Sequence, residues 1–293
     1  MNELVVKDVS KAYGKKVVLE EINFSIESGM VGLLGNNGAG KTTLMNMITG
    51  LISPDKGNIL LNGLDINANP MYARKMIGYL PQEFELYNNL TAYEMLEYIA
   101  RLNKLSKKES IEKIPEILKT VNLFDNKDEK VGGFSGGMKR RMGIGMVLIK
   151  NPNVIIVDEP TAGLDPIERV RFRTLLSTLS NEKIVLLSTH IVEDISATCN
   201  KLLFIKNKRI KFQGTPDEWL KNTRNKVAEA LVLNIKQLKE IDRNLNIISM
   251  KKIDGGVLVR FILDNKIKVP LEYKIVDANL EDAFLYYNDK NVS

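Results

Sequence analysis

Apolar positions along the 293-residue chain change their period several times, and each change marks a different kind of element. Strand-like runs come first, over residues 4–9, 17–26, 30–34, 58–61 and 77–80, and they resume at 154–158, 184–188 and 201–205. Several are continuous rather than alternating, which points to strands covered on both faces. The early pair alternates more, and the turn at Tyr13-Gly14-Lys15 between its members predicts an antiparallel hairpin in a side sheet.

Between residues 84 and 150 the period becomes helical. Thr91 and Glu94 form a capping-box pattern that opens a helix over 91–102. A second helix is expected over 109–121, where Pro115 should kink or split it. A third starts after Ser135, with Met138, Met142, Gly145, Met146 and Ile149 on one face, a stripe that reads as core packing. After Trp219-Leu220 the composition shifts to strand-like runs at 228–233 and 256–263 and a last helix over 279–287. There Leu280, Ala283, Phe284 and Tyr287 follow i, i+3, i+4, i+7 spacing, and Asn279 is placed to cap. The expected architecture is an α/β core with an antiparallel β side sheet and an inserted α-helical subdomain at about 84–150. That domain spans residues 1–223, and a small C-terminal α+β accessory domain spans 224–293.

Composition narrows the function classes. A 44% hydrophobic and 27% charged chain is that of a soluble globular protein. One cysteine, Cys199, excludes a disulfide framework and suits a reducing compartment, and one histidine argues against a His-rich metal site. The charged first residues do not form a signal peptide, and no run approaches 18 uncharged apolar residues, so no membrane span is expected. The net charge of +6 would suit anionic partners, but charges of both signs alternate along the chain as on a solvated surface.

The chemistry concentrates in three stretches. Gly35-Asn36-Asn37-Gly38-Ala39-Gly40-Lys41-Thr42 matches a phosphate-binding loop, set between a buried strand and a helix that continues through Thr43. Its glycines let backbone N–H groups turn around an anion, Lys41 supplies a point charge for β- and γ-phosphates, and the Thr42 hydroxyl can ligate Mg²⁺. The strand at 154–158 ends in Asp158-Glu159, whose side chains should face different targets: Asp158 towards Mg²⁺, Glu159 as a general base for an attacking water. Phe134-Ser135-Gly136-Gly137-Met138 places a serine cap and two glycines at a helix start, a second anion site that one nucleotide in one chain does not need. A dimer in which each chain offers that helix end to the other's nucleotide resolves the surplus.

The order of these motifs over roughly residues 2–220 resembles the ATP-binding cassette of ABC transporters, a P-loop NTPase with a RecA-like core. The resemblance identifies Leu80-Pro81-Gln82 as the Q-loop, residues 134–138 as the signature, Ala162-Gly163-Leu164-Asp165 as the D-loop and His190 as the switch histidine. It implies that Tyr13 stacks on adenine and that Gln82 reaches Mg²⁺ and the attacking water. It also implies that His190 bonds the γ-phosphate and that Ser135, Gly136, Gly137 and Asp165 meet ATP in trans. Asp165 before Pro166 is equally a good N-cap.

The signature departs from the commonest form in carrying Met138 where Gln is usual, and the basic triplet Lys139-Arg140-Arg141 follows. This variant and the tail at 280–284 are similar to subunits of exporters, including those for drug and antibiotic self-protection. The expectation is an ATP-hydrolysing subunit, working with ATP and Mg²⁺, paired with a second copy and powering a separate integral membrane permease from its cytoplasmic face. No direct nucleic-acid partner is expected. The rivals are a soluble cassette ATPase acting on nucleic acid or ribosomes, and a non-hydrolysing regulatory module.

Overall fold

The computed structural model describes residues 2–233, 245–263 and 272–288. The chain divides into two compact units, Met1–Gln213 and Gly214–Ser293, a boundary that falls before the helix containing Trp219 rather than after it.

Strands β1 (Glu3–Tyr13) and β2 (Lys16–Glu27) form the expected hairpin, and with β4 (Lys56–Leu61) and β5 (Leu64–Asp65) they make a four-stranded sheet in the order β2-β1-β4-β5. Between β2 and β4 come β3 (Gly29–Gly35) and helix α1 (Lys41–Ile48). Strand β3 joins β6 (Ile77–Leu80), β7 (Val154–Asp158), β8 (Ile184–Thr189), β9 (Lys201–Lys206) and β10 (Arg209–Gly214) in a second sheet, ordered β10-β9-β3-β8-β7-β6. The pairs β9/β3, β3/β8, β8/β7 and β7/β6 are parallel. Every residue of β7 and β8 is buried, as their unbroken apolar runs require. The core between the sheets unites Leu4, Ile22, Leu33, Leu44, Ile156 and Leu186.

Gly57 fixes the entry to β4. Its φ is +80°, and a Cβ there would stand 2.3 Å from the Lys7 carbonyl oxygen and 2.5 Å from that of Asp8. Backbone cannot yield to that contact, so Gly57→Ala should cost at least about 1–3 kcal/mol, read as a lowered midpoint in urea unfolding.

Helix α2 (Pro70–Met76) leads into β6, and the helical insertion follows. Helix α3 (Ala92–Leu102) begins at the capping box of Thr91 and Glu94. Helix α4 (Lys107–Thr120) starts earlier than its apolar period indicates, because Ser106 and Glu109 form another capping box. It also runs through Pro115 as one helix, so the proline does not split it. Proline deprives the Ile111 carbonyl of its helical partner, but Ile111 is 55% exposed, so water can replace the lost bond. Helix α5 (Gly136–Leu148) starts at Ser135; Met142, Gly145 and Ile149 of its expected stripe are buried, while Met138 and Met146 are half-buried. The core resumes at β7, followed by α6 (Pro166–Ser180), β8, α7 (Val192–Thr198) and β9.

The second unit contains α8 (Pro216–Asn222), β11 (Val227–Val232), β12 (Asn246–Ile253), β13 (Gly256–Ile262), β14 (Lys274–Ile275) and α9 (Leu280–Asn288). Its sheet runs β12-β13-β11-β14. Asn279 caps α9 by accepting from the Asp282 backbone N–H at 2.8 Å. Arg260 of β13 ties that helix to the sheet, bonding Asp282 and, at 2.7 Å, Glu229. Trp219 of α8 is wholly buried and lies 5.3 Å, centroid to centroid, from Tyr287.

Candidate active site

Parallel strands deliver their C-terminal ends to one edge of a sheet, and that edge is where an open α/β sheet binds ligands. Gln82 follows β6, the loop at 35–43 follows β3, Glu159 follows β7 and His190 follows β8, so adjacent strands put these groups on neighbouring loops.

The phosphate loop closes tightly, with the Ala39 N–H bonded to the Asn36 carbonyl at 3.1 Å. Gly40 caps α1 at φ +103°, where a Cβ would fall 2.6 Å from Leu19 Cδ2, so only glycine lets β2 approach this closely. Lys41 is buried, and its Nζ donates to the Gly35 carbonyl at 2.7 Å and the Asn36 carbonyl at 3.3 Å. Burial holds its ammonium below the ordinary lysine range, against the pull of the Glu159 and Asp158 charges.

Asp158 and Glu159 do face different targets. The Thr42 hydroxyl donates to Asp158 Oδ2 at 3.4 Å, joining the end of β7 to the phosphate loop. Burial raises the Asp158 carboxyl above the usual carboxylate range, opposed chiefly by Ser188 and then by Lys41 and Thr42, with the neighbouring Glu159 charge adding to the rise. Glu159 leaves the strand in the left-handed region at φ +46°, a strained conformation of the kind that clusters at functional sites. Its Oε2 lies 2.8 Å from His190 Nδ1. That approach lacks hydrogen-bond geometry, and buried Oε2 has no hydrogen-bond partner among the described residues. An orphaned carboxylate oxygen beside an imidazole is free to take a water.

The remaining expected residues are distributed more widely. Tyr13, at the end of β1, is 52% exposed, so its ring is available for stacking, and Lys11 Nζ lies 5.9 Å from its centroid. Gln82 is exposed. Ser135 caps α5, its Oγ accepting from the Met138 N–H at 3.2 Å, and Gly136 is exposed. Gly137, however, is not bared: it is buried against Glu168, whose Oε2 would lie 2.2 Å from an added Cβ. Ser135 and Gly136 are the exposed part of this helix start. Asp165 acts as the N-cap, accepting from the Glu168 N–H at 2.9 Å with Pro166 at the first helical position.

Sequence reasoning passed over Glu168 and undervalued the basic triplet. Buried Arg141 is ion-paired with Glu168, which also pairs with Arg171 at 2.6 Å. The Asp165-to-Glu168 cap spacing was the available signal for that carboxylate. Arg140 turns inward too: its guanidinium lies 5.7 Å from the Phe84 ring centroid and donates to the Pro81 carbonyl at 3.4 Å, so α5 holds the loop that bears Gln82.

Mg²⁺ prefers oxygen ligands and usually takes only one or two from protein, with phosphates and water completing its shell. The hydroxyl of Thr42 and the carboxylate of Asp158, already 3.4 Å apart, form such a partial set. Among the described residues no cluster of three or more His, Cys, Asp or Glu side chains could hold a metal unaided.

Comparison with known proteins agrees with this geometry. A model of the ABC transporter family matches residues 19–162. The linearmycin resistance ATP-binding protein LnrL of Bacillus subtilis is 34% identical over 250 residues, covering 82% of this chain and 80% of its own. The Nod factor export ATP-binding protein I of Burkholderia thailandensis is 35% identical over 289 residues, covering 95% and 94%. A solved ATP-binding subunit of an ABC transporter superposes with a TM-score of 0.66 at 33% identity, covering 75% of this chain and 92% of that one. The loops at one sheet edge, the inserted helices and these likenesses together place the chain in the ABC transporter family, as an ATP-binding, ATP-hydrolysing subunit.

Proposed function

We propose that two copies of this chain close on two ATP molecules and that hydrolysis drives a separate membrane permease, in the direction of export. The observation that carries the reading is a division of labour. Lys41, Thr42, Asp158, Glu159 and His190 lie on neighbouring loops at one sheet edge, whereas the exposed Ser135–Gly136 tip starts a helix of the insertion and would find a use on a partner's nucleotide.

In this mechanism Tyr13 stacks on adenine, the amides of residues 35–43 cradle the phosphates, and Lys41 holds the β- and γ-oxygens. Thr42 and Asp158, together with Gln82, would hold Mg²⁺, which when bound would neutralise phosphate charge. Glu159 takes the proton of the attacking water through Oε2, and the second nitrogen of His190 bonds the γ-phosphate. From the partner, Ser135 and Gly136 complete the γ-phosphate shell, with Asp165 at the adjoining helix end. Loss of the γ-phosphate removes what joins the halves, and they part.

The permease would sense this through the insertion. A surface cleft of about 510 Å³ is lined by Tyr87, Asn88, Asn89, Leu90 and Tyr98, with the two tyrosine rings edge to face at 5.2 Å. It begins five residues beyond Gln82, so a shift of that loop reaches it directly. No described helix is long and apolar enough to cross a membrane, so a membrane position, at the cytoplasmic face, would come through the permease. Export is the direction of the Nod factor relative, and a resistance role is compatible with it.

Mixing two inactive variants tests the trans arrangement. Lys41→Met destroys the cradle; Gly136→Arg blocks the tip without disturbing the fold, because a Cβ at Gly136 meets only Leu164 Cδ2 at 3.9 Å. Each alone should be inactive in a phosphate-release assay, while a mixture should regain part of the wild-type rate from dimers with one intact composite site. Full hydrolysis by Gly136→Arg alone would contradict the arrangement.

A further inference from the structure

Asp194 is a fully buried carboxylate that none of the steps above uses. It lies in α7, four residues after His190, and its Oδ2 accepts a hydrogen bond from the hydroxyl of Thr161, two residues after Glu159. Thr161 is itself 1% exposed. Arg173 of α6 donates to Asp194 Oδ1 at 3.4 Å and to the Glu193 carbonyl at 3.4 Å, and Arg169 adds a second positive charge nearby.

We infer that Asp194 is a positioning residue for hydrolysis, which sets the distance between Glu159 and His190 by tying the turn after one to the helix after the other. The inference rests on the hydrolytic roles proposed for those two groups. The geometry is a closed ring: Glu159 to Thr161 through the chain, Thr161 to Asp194 by a hydrogen bond, Asp194 back to His190 through the chain, and His190 to Glu159 by their 2.8 Å contact. Arg173 braces the ring from outside. Glu159 needs such a brace, because its left-handed backbone persists only if the surroundings enforce it. Without the Thr161–Asp194 link the turn can relax, and the carboxylate moves relative to the imidazole. A displacement on the order of 1 Å at a reacting group can cost about 100-fold in rate.

The test compares Asp194→Asn, Thr161→Val and Thr161→Ser with the parent chain, using Mg-ATP for turnover and equilibrium nucleotide binding for affinity. The first two should lower kcat by about 10- to 100-fold and leave ATP affinity within about two-fold, while Thr161→Ser, which keeps the hydroxyl, should restore turnover. In a His190→Ala background Asp194→Asn should add less than about two-fold, since both act on the same geometry; a purely structural role would give independent, multiplying losses. Thr161→Val retains the Asp194–Arg173 pair, so it carries the test if Asp194→Asn fails to fold. Unchanged kcat in Thr161→Val, or fully multiplicative losses with His190→Ala, would overturn the inference. A Glu159→Gln control separates the two levels: if it hydrolyses ATP normally, the hydrolytic reading fails first.

Discussion

Glu159→Gln is expected to lower steady-state ATP hydrolysis by about 100- to 10,000-fold, the usual contribution of a positioned general base. The amide keeps the size of the side chain and its left-handed backbone, but it cannot accept a proton from water. Its second consequence is on binding. Glu159 is buried beside the phosphate site, so removing its charge lessens repulsion of the γ-phosphate, and the variant should retain ATP rather than lose it. Phosphate release measured beside nucleotide retention on a desalting column checks both. A wild-type rate would refute the base assignment, and loss of nucleotide together with activity would mean that Glu159 serves binding.

Lys41→Met should act in the opposite manner, failing at binding. The ammonium makes two charge-assisted bonds to loop carbonyls, which it would exchange for phosphate oxygens. Hydrogen bonds to charged groups are worth about 1.5–3 kcal/mol each, so one lost phosphate contact lowers ATP affinity by about 10- to 150-fold. Turnover should fall below detection. The nucleotide-free protein should remain as stable as its parent, because desolvation of the buried ammonium opposes its bonds and Met matches its shape. Titration with a fluorescent ATP analogue and a thermal melt without nucleotide measure the two effects separately. Undiminished affinity would remove Lys41 from the phosphate site.

Range along the chain decides which parts of the site are legible in the sequence. Short-range motifs carry their geometry with them: a glycine-rich loop between strand and helix can fold in few ways, and Gly35–Thr43 runs from β3 into α1 as its spacing implies. Continuous apolar runs likewise identified β3, β7 and β8, because strands buried on both faces have no polar face to show. Strand β12 escaped notice for the converse reason, since none of its eight residues is buried and its Ser249, Lys251 and Lys252 break any alternation. Long-range polar partners were illegible. Nothing local announces that Glu168 covers Gly137 or that Asp194 reaches Thr161; those contacts exist only after α5, α6 and α7 have packed. The capping boxes at Ser106 and Thr215 open their helices with polar residues, so apolar period alone does not mark those starts.

The measurement that bears most directly on the central claim is the mass of Glu159→Gln in solution, by light scattering, with and without saturating Mg-ATP. Shared nucleotides require twice the 33.0 kDa protomer mass when ATP is present, and a return to the single mass when Gly136→Arg is added. A variant that holds ATP yet stays at the single mass would contradict the account.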